Sequence, residues 1–478
     1  MEIRSLSPVP LWNHFSDLNA VPRASKKEER VIQFMLDFGK ELGLATLQDD
    51  VGNVIIKKPA SPGMENRETI VMQSHLDMVH QKNADTVFDF DTEGIKMQFV
   101  DGWVKADGTT LGADNGIGVA TIMAILSSDT IEHPAIEALF TIDEETGMTG
   151  ALGLKGGLLT GGILLNLDTE DDEELTIGCA GGVDVTATGK YNIEQVDDIP
   201  LYKLAVTGLH GGHSGMDIHK GFANANKIMN RILYALNDEI RIQEIDGGGL
   251  RNAIPRESFA HFLTSTDLTE TVKQLSNDIL TEYKITDPNF NIELKKIGTG
   301  NQHINKDFQN KLLRSLYACP NGIYRMSPDI NGLVQTSNNL ARVLVKDGEY
   351  QVLCLTRSSV ESEKWDLGDA IKSCFELMGA EVDTSGSYPG WAPKPEAAII
   401  KLMRDIYTDR FNSEPHVNAC HAGLECGIIG TNYPKMDMIS FGPNITGAHS
   451  PDEQVEVKSV EKFWGYLMEV LKNIPEKG

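Results

Sequence analysis

The sequence predicts an α/β protein: a catalytic-type domain with a mixed sheet flanked by helices, plus an inserted α+β domain. Three observations predict it. Short β-branched, apolar runs alternate with helical patterns, the grammar of a sheet covered by helices. Several of those runs end in acidic or histidine clusters, where ligands sit in open α/β sheets. A looser, differently patterned stretch of about 200 residues separates the early clusters from a late one.

Taken in order, residues 26–43 carry a helical pattern, with Val31, Ile32, Phe34, Met35 and Leu36 among charges. Val54-Ile55-Ile56 reads as a short strand. Thr69 to Gln73 is a buried-strand run ending at Ser74-His75-Leu76-Asp77. Leu111-Gly112-Ala113-Asp114-Asn115-Gly116 is a glycine-bearing loop turning into a helix near Gly116. Ala138 to Ile142 and Ile163 to Leu167 are further buried strands, ending at Asp143-Glu144-Glu145 and Asp168. Between 186 and 388, strands such as Tyr202 to Val206 mix with helices such as Ala223 to Leu236. Tyr388-Pro389-Gly390-Trp391-Ala392-Pro393-Lys394-Pro395 has linker chemistry. A helix from about Glu396 to Tyr407, a buried strand from Met436 to Phe441 and an amphipathic helix over 459–473 close the chain. The expected division is 1–185 and 389–478 for the split first domain and 186–388 for the inserted one.

Bulk properties narrow the function. The chain has 478 residues, enough for two or three domains. Its net charge is -26, from 69 acids against 43 bases. Such a surface repels phosphate backbones and anionic lipid heads, so neither nucleic acid nor membrane is an expected partner. No run of 18 apolar residues occurs. The N-terminal residues show no apolar signal segment. Six cysteines without a CxxC pair fit a reducing compartment, so a cytoplasmic protein is expected.

Each cluster alone has a plain alternative. His75 and Asp77, two apart on a strand, face one side together, as a ligand and the carboxylate that orients it would; an ordinary histidine is the commoner case. Asp114 before a helix reads first as an N-cap. Three successive carboxylates at 143–145 repel one another unless a cation compensates, or they form a solvated loop. His449, in Gly447-Ala448-His449-Ser450-Pro451, is a loop histidine. Together, two histidines and three carboxylates on successive strand ends make a donor set suited to zinc, with cobalt and manganese as alternatives. A second Glu beside a ligating one supplies a general base, the inventory of two-metal hydrolysis. A nucleotide loop is a poor reading of Gly112 to Gly118, which lacks the GxGxxG spacing.

The ordered strings SHLDMVHQK, LGADNGIGVA, LFTIDEETGMTGA, LLNLDTED, GCAGG, GLHGGHSGMDIHKG, RNAIPRE, CHAGLECG and GAHSP resemble the co-catalytic zinc peptidases and aminoacylases, and among them the bacterial aminoacyl-histidine dipeptidases. The resemblance covers essentially the whole chain. It implies two divalent ions, His75 and Asp168 on one, Glu145 and His449 on the other, and Asp114 bridging. It implies Asp77 as the partner of His75 and Glu144 as the general base. It makes the inserted domain a lid that allows a homodimer, with His213 at the oxyanion, Asn252 and Arg357 holding the substrate and Gly423 beside it. The plain alternatives are a turn histidine at 213 and a surface ion pair at Arg357. The implied activity is hydrolysis of small peptides, of Xaa-His type with broad specificity. The competing readings are an aminoacylase or tripeptidase on the same centre and a non-catalytic peptide- or metal-binding protein.

Overall fold

The computed structural model describes residues 2–477. Internal contacts divide the chain into two compact units. The first comprises Met1–Gly178, Pro393–Ala419 and Leu424–Gly478; the second comprises Cys179–Ala392 and Cys420–Gly423.

Among the described residues the first unit is built on an eight-stranded sheet. Its spatial order is Ala45–Gln48, Val54–Lys58, Ile136–Thr141, Ile70–His75, Ile163–Asn166, Asp437–Ser440, Glu174–Cys179 and His416–Cys420. The four strands from Ile136–Thr141 to Asp437–Ser440 run parallel, and antiparallel strands flank them. Parallel strands covered on both faces read as continuous apolar runs rather than alternating ones. Accordingly every residue of Ile70–His75, Ile136–Thr141 and Ile163–Asn166 is buried. The runs picked out in the sequence are therefore the sheet's centre.

The helix Ala113–Leu126 packs against the strand Ile70–His75 and the helix Val9–Asn19, and all but one of its residues are buried. Such close approach needs a small residue: a Cβ at Gly118 would lie 2.4 Å from Ser74 Oγ and 2.7 Å from the Leu167 carbonyl oxygen. The amphipathic helix Val457–Asn473 buries Val460, Phe463, Tyr466, Leu467 and Val470, and packs on Ala398–Phe411. A four-stranded sheet of Ile445–Thr446, Gln454–Glu456, Trp103–Ala106 and Met97–Val100 joins early and late segments; the sequence patterns did not suggest it.

The second unit is an antiparallel sheet, nine-stranded among the described residues, with the helices Ala225–Ala235, Thr269–Tyr283, Lys306–Ala318 and Glu361–Glu376. It begins at Cys179 rather than 186 and ends at Ala392 rather than 388. The reason is pairing: Gly181–Lys190 bonds along its length to Glu349–Ser358 and also to Glu381–Tyr388. Residues 420–423, expected in the closing segment of the first domain, also count with this unit. No helix among the described residues is long and apolar enough to cross a membrane.

Gly118→Ala tests the helix–sheet approach. Alanine is worth about 1 kcal/mol over glycine in a helix interior, yet contact with the Leu167 carbonyl should outweigh it. The variant is expected to melt below wild type in thermal unfolding followed by circular dichroism; a raised Tm would show that the helix can shift at no cost.

Candidate metal centre

The five residues singled out as ligands meet at the carboxyl ends of the parallel strands. His75 is the last residue of its strand; Asp143-Glu144-Glu145 follows Ile136–Thr141, and Asp168 follows Ile163–Asn166. Asp114 Oδ1 lies 3.1 Å from His75 Nε2, and its Oδ2 lies 3.3 Å from His449 Nε2. Asp168 Oδ1 is 3.6 Å from the same His75 nitrogen. Glu145 Oε2 is 3.0 Å from His449 Nε2. The arrangement is two half-sites, each an imidazole between two carboxylates, sharing Asp114. The N-cap reading of Asp114 is thereby overturned. The helix N-cap is Gly112, Asp114 has an extended backbone inside the first turn, and its side chain faces the histidines.

Asp77 ties two strand ends together. It sits 3.4 Å from His75 Nδ1 and accepts the backbone N–H of Glu144 (3.0 Å) and of Glu145 (3.3 Å), with Ser25 Oγ at 2.8 Å. Of the three successive acids, Asp143 turns away: its φ is 52°, and its carboxylate accepts the hydroxyls of Thr146 and Thr149. Buried charged groups that the sequence patterns left unremarked surround the centre. Arg23 donates to the carbonyls of Leu76, Asp77 and Gly112. Glu425 accepts from Gln73 and Thr141 at 2.6 Å each. Glu453 accepts from the loop at 111–114. No periodicity marks such residues, since each is buried for its hydrogen bonds.

The crowding of acids shows in their proton affinities. Burial raises Glu144 well above the carboxylate range; His75 opposes this, and Asp168, Glu425 and Glu145 add to it. Burial, with Asp114 and Asp168 close by, pushes Glu170 up to about 8. Burial likewise takes Glu425 to about 8 against the opposing charge of His75. Asp114 goes the other way: burial would raise it, but hydrogen bonds from His449 and His75 hold it low.

The remaining residues singled out from sequence, His213, Asn252, Arg357 and Gly423, all belong to the second unit. Arg357 is 5% exposed and donates to the Tyr388 hydroxyl at 2.7 Å, while its Nε has no partner. That rules out the surface ion pair weighed for it. His213 Nδ1 accepts the N–H groups of Gly215 and Met216, which leaves Nε2 as the protonated donor nitrogen. Burial and the nearby Arg357 lower its pKa, favouring the neutral ring. His421 is buried in the same unit with Nε2 2.7 Å from Ser337 Oγ; burial, Arg357 and His213 push it down to about 3. The Asn252 carbonyl accepts from Ser214 N at 2.7 Å, and Asn252 itself is exposed.

The model for Peptidase family M20/M25/M40 matches residues 71–473. The chain belongs to this family. It is 43% identical, over all of both chains, to the cytosol non-specific dipeptidase of Escherichia coli (strain K12). It is 42% identical to the aminoacylhistidine dipeptidase of Vibrio alginolyticus, whose solved structure superposes with a TM-score of 0.94 over 100% of this chain and 99% of that one. The aminopeptidase PepT of Bacillus cereus, 16% identical with a TM-score of 0.58 over 98% and 99% of the two chains, shares the fold.

The donor set of this M20/M25/M40 member fits divalent metal ions. Ligand atoms of His75, Asp114 and Glu145 lie within 4.8 Å of one another. Glu145 Oε1 is buried without a hydrogen-bond partner, a costly state that a coordinated cation relieves. Among the described residues no lysine or arginine pairs with Asp114, Glu145 or Asp168; the imidazoles of His75 and His449 are their ion-pair partners.

Without metal those imidazoles hold protons. Hydrogen bonds to Asp114 and Glu145 take His449 up to about 11. Burial opposes the same rise in His75, but Asp168, Asp114 and Asp77 carry it well above 6.5. Folded pKa values above the unfolded ones stabilise the metal-free protein fully below about pH 6.5, and this contribution fades as pH climbs towards 11. Ligation requires neutral rings. Zinc binding at pH 7 should therefore release about two protons, and apparent affinity should rise with pH. Titration calorimetry in two buffers of different ionisation enthalpy reads this directly; identical heats would mean that neither histidine changes protonation.

Proposed function

We propose that the chain is a two-zinc dipeptidase of broad specificity that includes Xaa-His substrates. The carrying observation is Asp114, one carboxylate with each oxygen directed at a different histidine, in a chain 43% identical end to end to a named dipeptidase. In this reading His75 and Asp168 would hold one ion, Glu145 and His449 would hold the other, and Asp114 would serve both. When bound, the ions supply Lewis-acid polarisation of the scissile carbonyl and acidify the attacking water. Cobalt or manganese would satisfy the same mixed donors.

The chain's own groups do the rest. Asp77 fixes the ring and tautomer of His75. Glu144, with its raised affinity for protons, takes one from the attacking water and delivers it to the amine nitrogen as the C–N bond breaks. In the second unit, the Arg357 guanidinium, steadied by Tyr388, is assigned the free carboxylate of the dipeptide. His213, with Nε2 as donor, is assigned the developing oxyanion; Asn252 and Gly423 are assigned to substrate contact. The second unit as lid and dimerisation surface belongs to the same reading, as does a cytosolic location, which the name of the E. coli relative states for that protein.

The deciding experiment is hydrolysis of a dipeptide panel that includes beta-alanyl-histidine, with chelator and with zinc restored. Cleavage lost with chelator and recovered with zinc is expected. Cleavage of N-acyl amino acids or tripeptides alone would reassign the substrate, and no turnover by protein carrying two ions would make it a binding protein. Glu144→Ala should keep zinc content and fold while kcat falls about 100- to 10,000-fold. Near-wild-type turnover in that variant would remove Glu144 from the mechanism.

A further inference from the structure

We propose that Glu453 is a positioning residue that holds the bridging Asp114 loop against the His449 loop beside the metal centre. The proposal rests on the metal reading above.

Glu453 is 2% exposed and takes four consecutive backbone N–H groups. Its Oε2 accepts from Leu111 (2.7 Å) and Gly112 (2.9 Å), and its Oε1 from Ala113 (2.7 Å) and Asp114 (3.2 Å). Only Ala113 and Asp114 follow the N-cap, and Asp114 and Asn115 lack helical backbone angles, so these four N–H groups belong to the loop that leads into the helix and need acceptors from outside it. A side chain at the N-cap usually answers them. Here the N-cap is Gly112, which has none, so a carboxylate from 339 to 342 residues further along the chain does so.

Glu453 also belongs to the loop that carries His449, and that loop is closed on itself. Ser450 Oγ donates to the Gly447 carbonyl at 2.7 Å, and Glu453 N donates to the Ser450 carbonyl at 3.1 Å. Fixing Glu453 on residues 111–114 therefore fixes His449 beside Asp114. On the other side of the same loop, Arg23 donates to the Gly112 carbonyl at 2.5 Å and to those of Leu76 and Asp77 at 3.0 and 3.1 Å, joining the loop after His75. The glycines of Leu111 to Gly116 make room for it: a Cβ at Gly112, where φ is +71°, would come 2.3 Å from an Arg23 nitrogen, and one at Gly116 2.7 Å. The three ligand loops thus hang on two buried residues of opposite charge, Arg23 on the carbonyls of Leu76, Asp77 and Gly112 and Glu453 on the N–H groups at 111–114.

The test is Glu453→Gln, which keeps size but replaces one of the two acceptor oxygens with an NH2 group that faces two backbone N–H donors. Competition with a chelating dye should show zinc affinity weakened about 10- to 100-fold at both sites. The matched control is Glu137→Gln. Glu137 is equally buried in the same unit, accepts from Thr160 and Gly161, and pairs with Lys57 at 2.7 Å. Glu137→Gln should lower the metal-free Tm and leave zinc affinity alone. Unchanged affinity in Glu453→Gln, or an equal loss in the control, overturns the proposal. Should the variant fail to fold, hydrogen exchange in metal-free wild type decides: protected amides at 111–114 support the clamp, and fast exchange there refutes it. Wild-type protein that binds no zinc sinks the metal reading and this inference with it; wild type binding two ions beside an unaffected variant sinks the inference alone.

Discussion

A shortage of positive charge governs the centre. Asp114, Glu145 and Asp168 lie close together, with Asp77, Glu144, Glu170 and Glu425 around them, against two imidazoles and one arginine. Ion pairing cannot hold such a set in place. The protein uses neutral donors instead: backbone N–H groups on Asp77, threonine hydroxyls on Asp143, and an amide and a hydroxyl on Glu425. Neutral donors orient a carboxyl group without bringing an opposing charge. Burial among other acids raises the proton affinity of Glu144, Glu170 and Glu425, which suits the general-base role proposed for Glu144.

Much of this was legible in the sequence because two signals coincide. Parallel strands covered on both faces must be continuously apolar, so Thr69 to Gln73, Ala138 to Ile142, Ile163 to Leu167 and Met436 to Phe441 stood out and became the sheet's centre. Residues that abruptly break such a run with charge, at 75, 143–145 and 168, fall at one edge of that centre. His449 follows a strand less directly: alone it reads as a loop histidine, and it gained its place as one of two histidines in the combined donor set and then through the resemblance.

What was hidden is hidden for physical reasons. Arg23 and Glu453 sit in segments that read as ordinary charged loops; their burial is decided by carbonyls and N–H groups far away in sequence. The N-cap alternative for Asp114 was sound local chemistry, displaced by a carboxylate no local pattern contains. The four-stranded sheet escaped because its strands are two to four residues long and join residues 97–106 to 445–456. The ends of the second unit shifted because Gly181–Lys190 follows directly on Glu174–Cys179, with no turn signal between the two sheets they serve.

The order of the strands bears on how the molecule is made. Asp437–Ser440 lies between Ile163–Asn166 and Glu174–Cys179. While the ribosome works through the intervening chain, the parallel sheet lacks an interior member and one side of Ile163–Asn166 offers unsatisfied peptide groups. At about 5–20 residues per second that interval lasts roughly 15–50 s. During it, the second unit, contiguous from Cys179 to Ala392 but for four residues, can fold to completion. Until Asp437–Ser440 is made, the sheet of the first unit cannot close on that side of Ile163–Asn166.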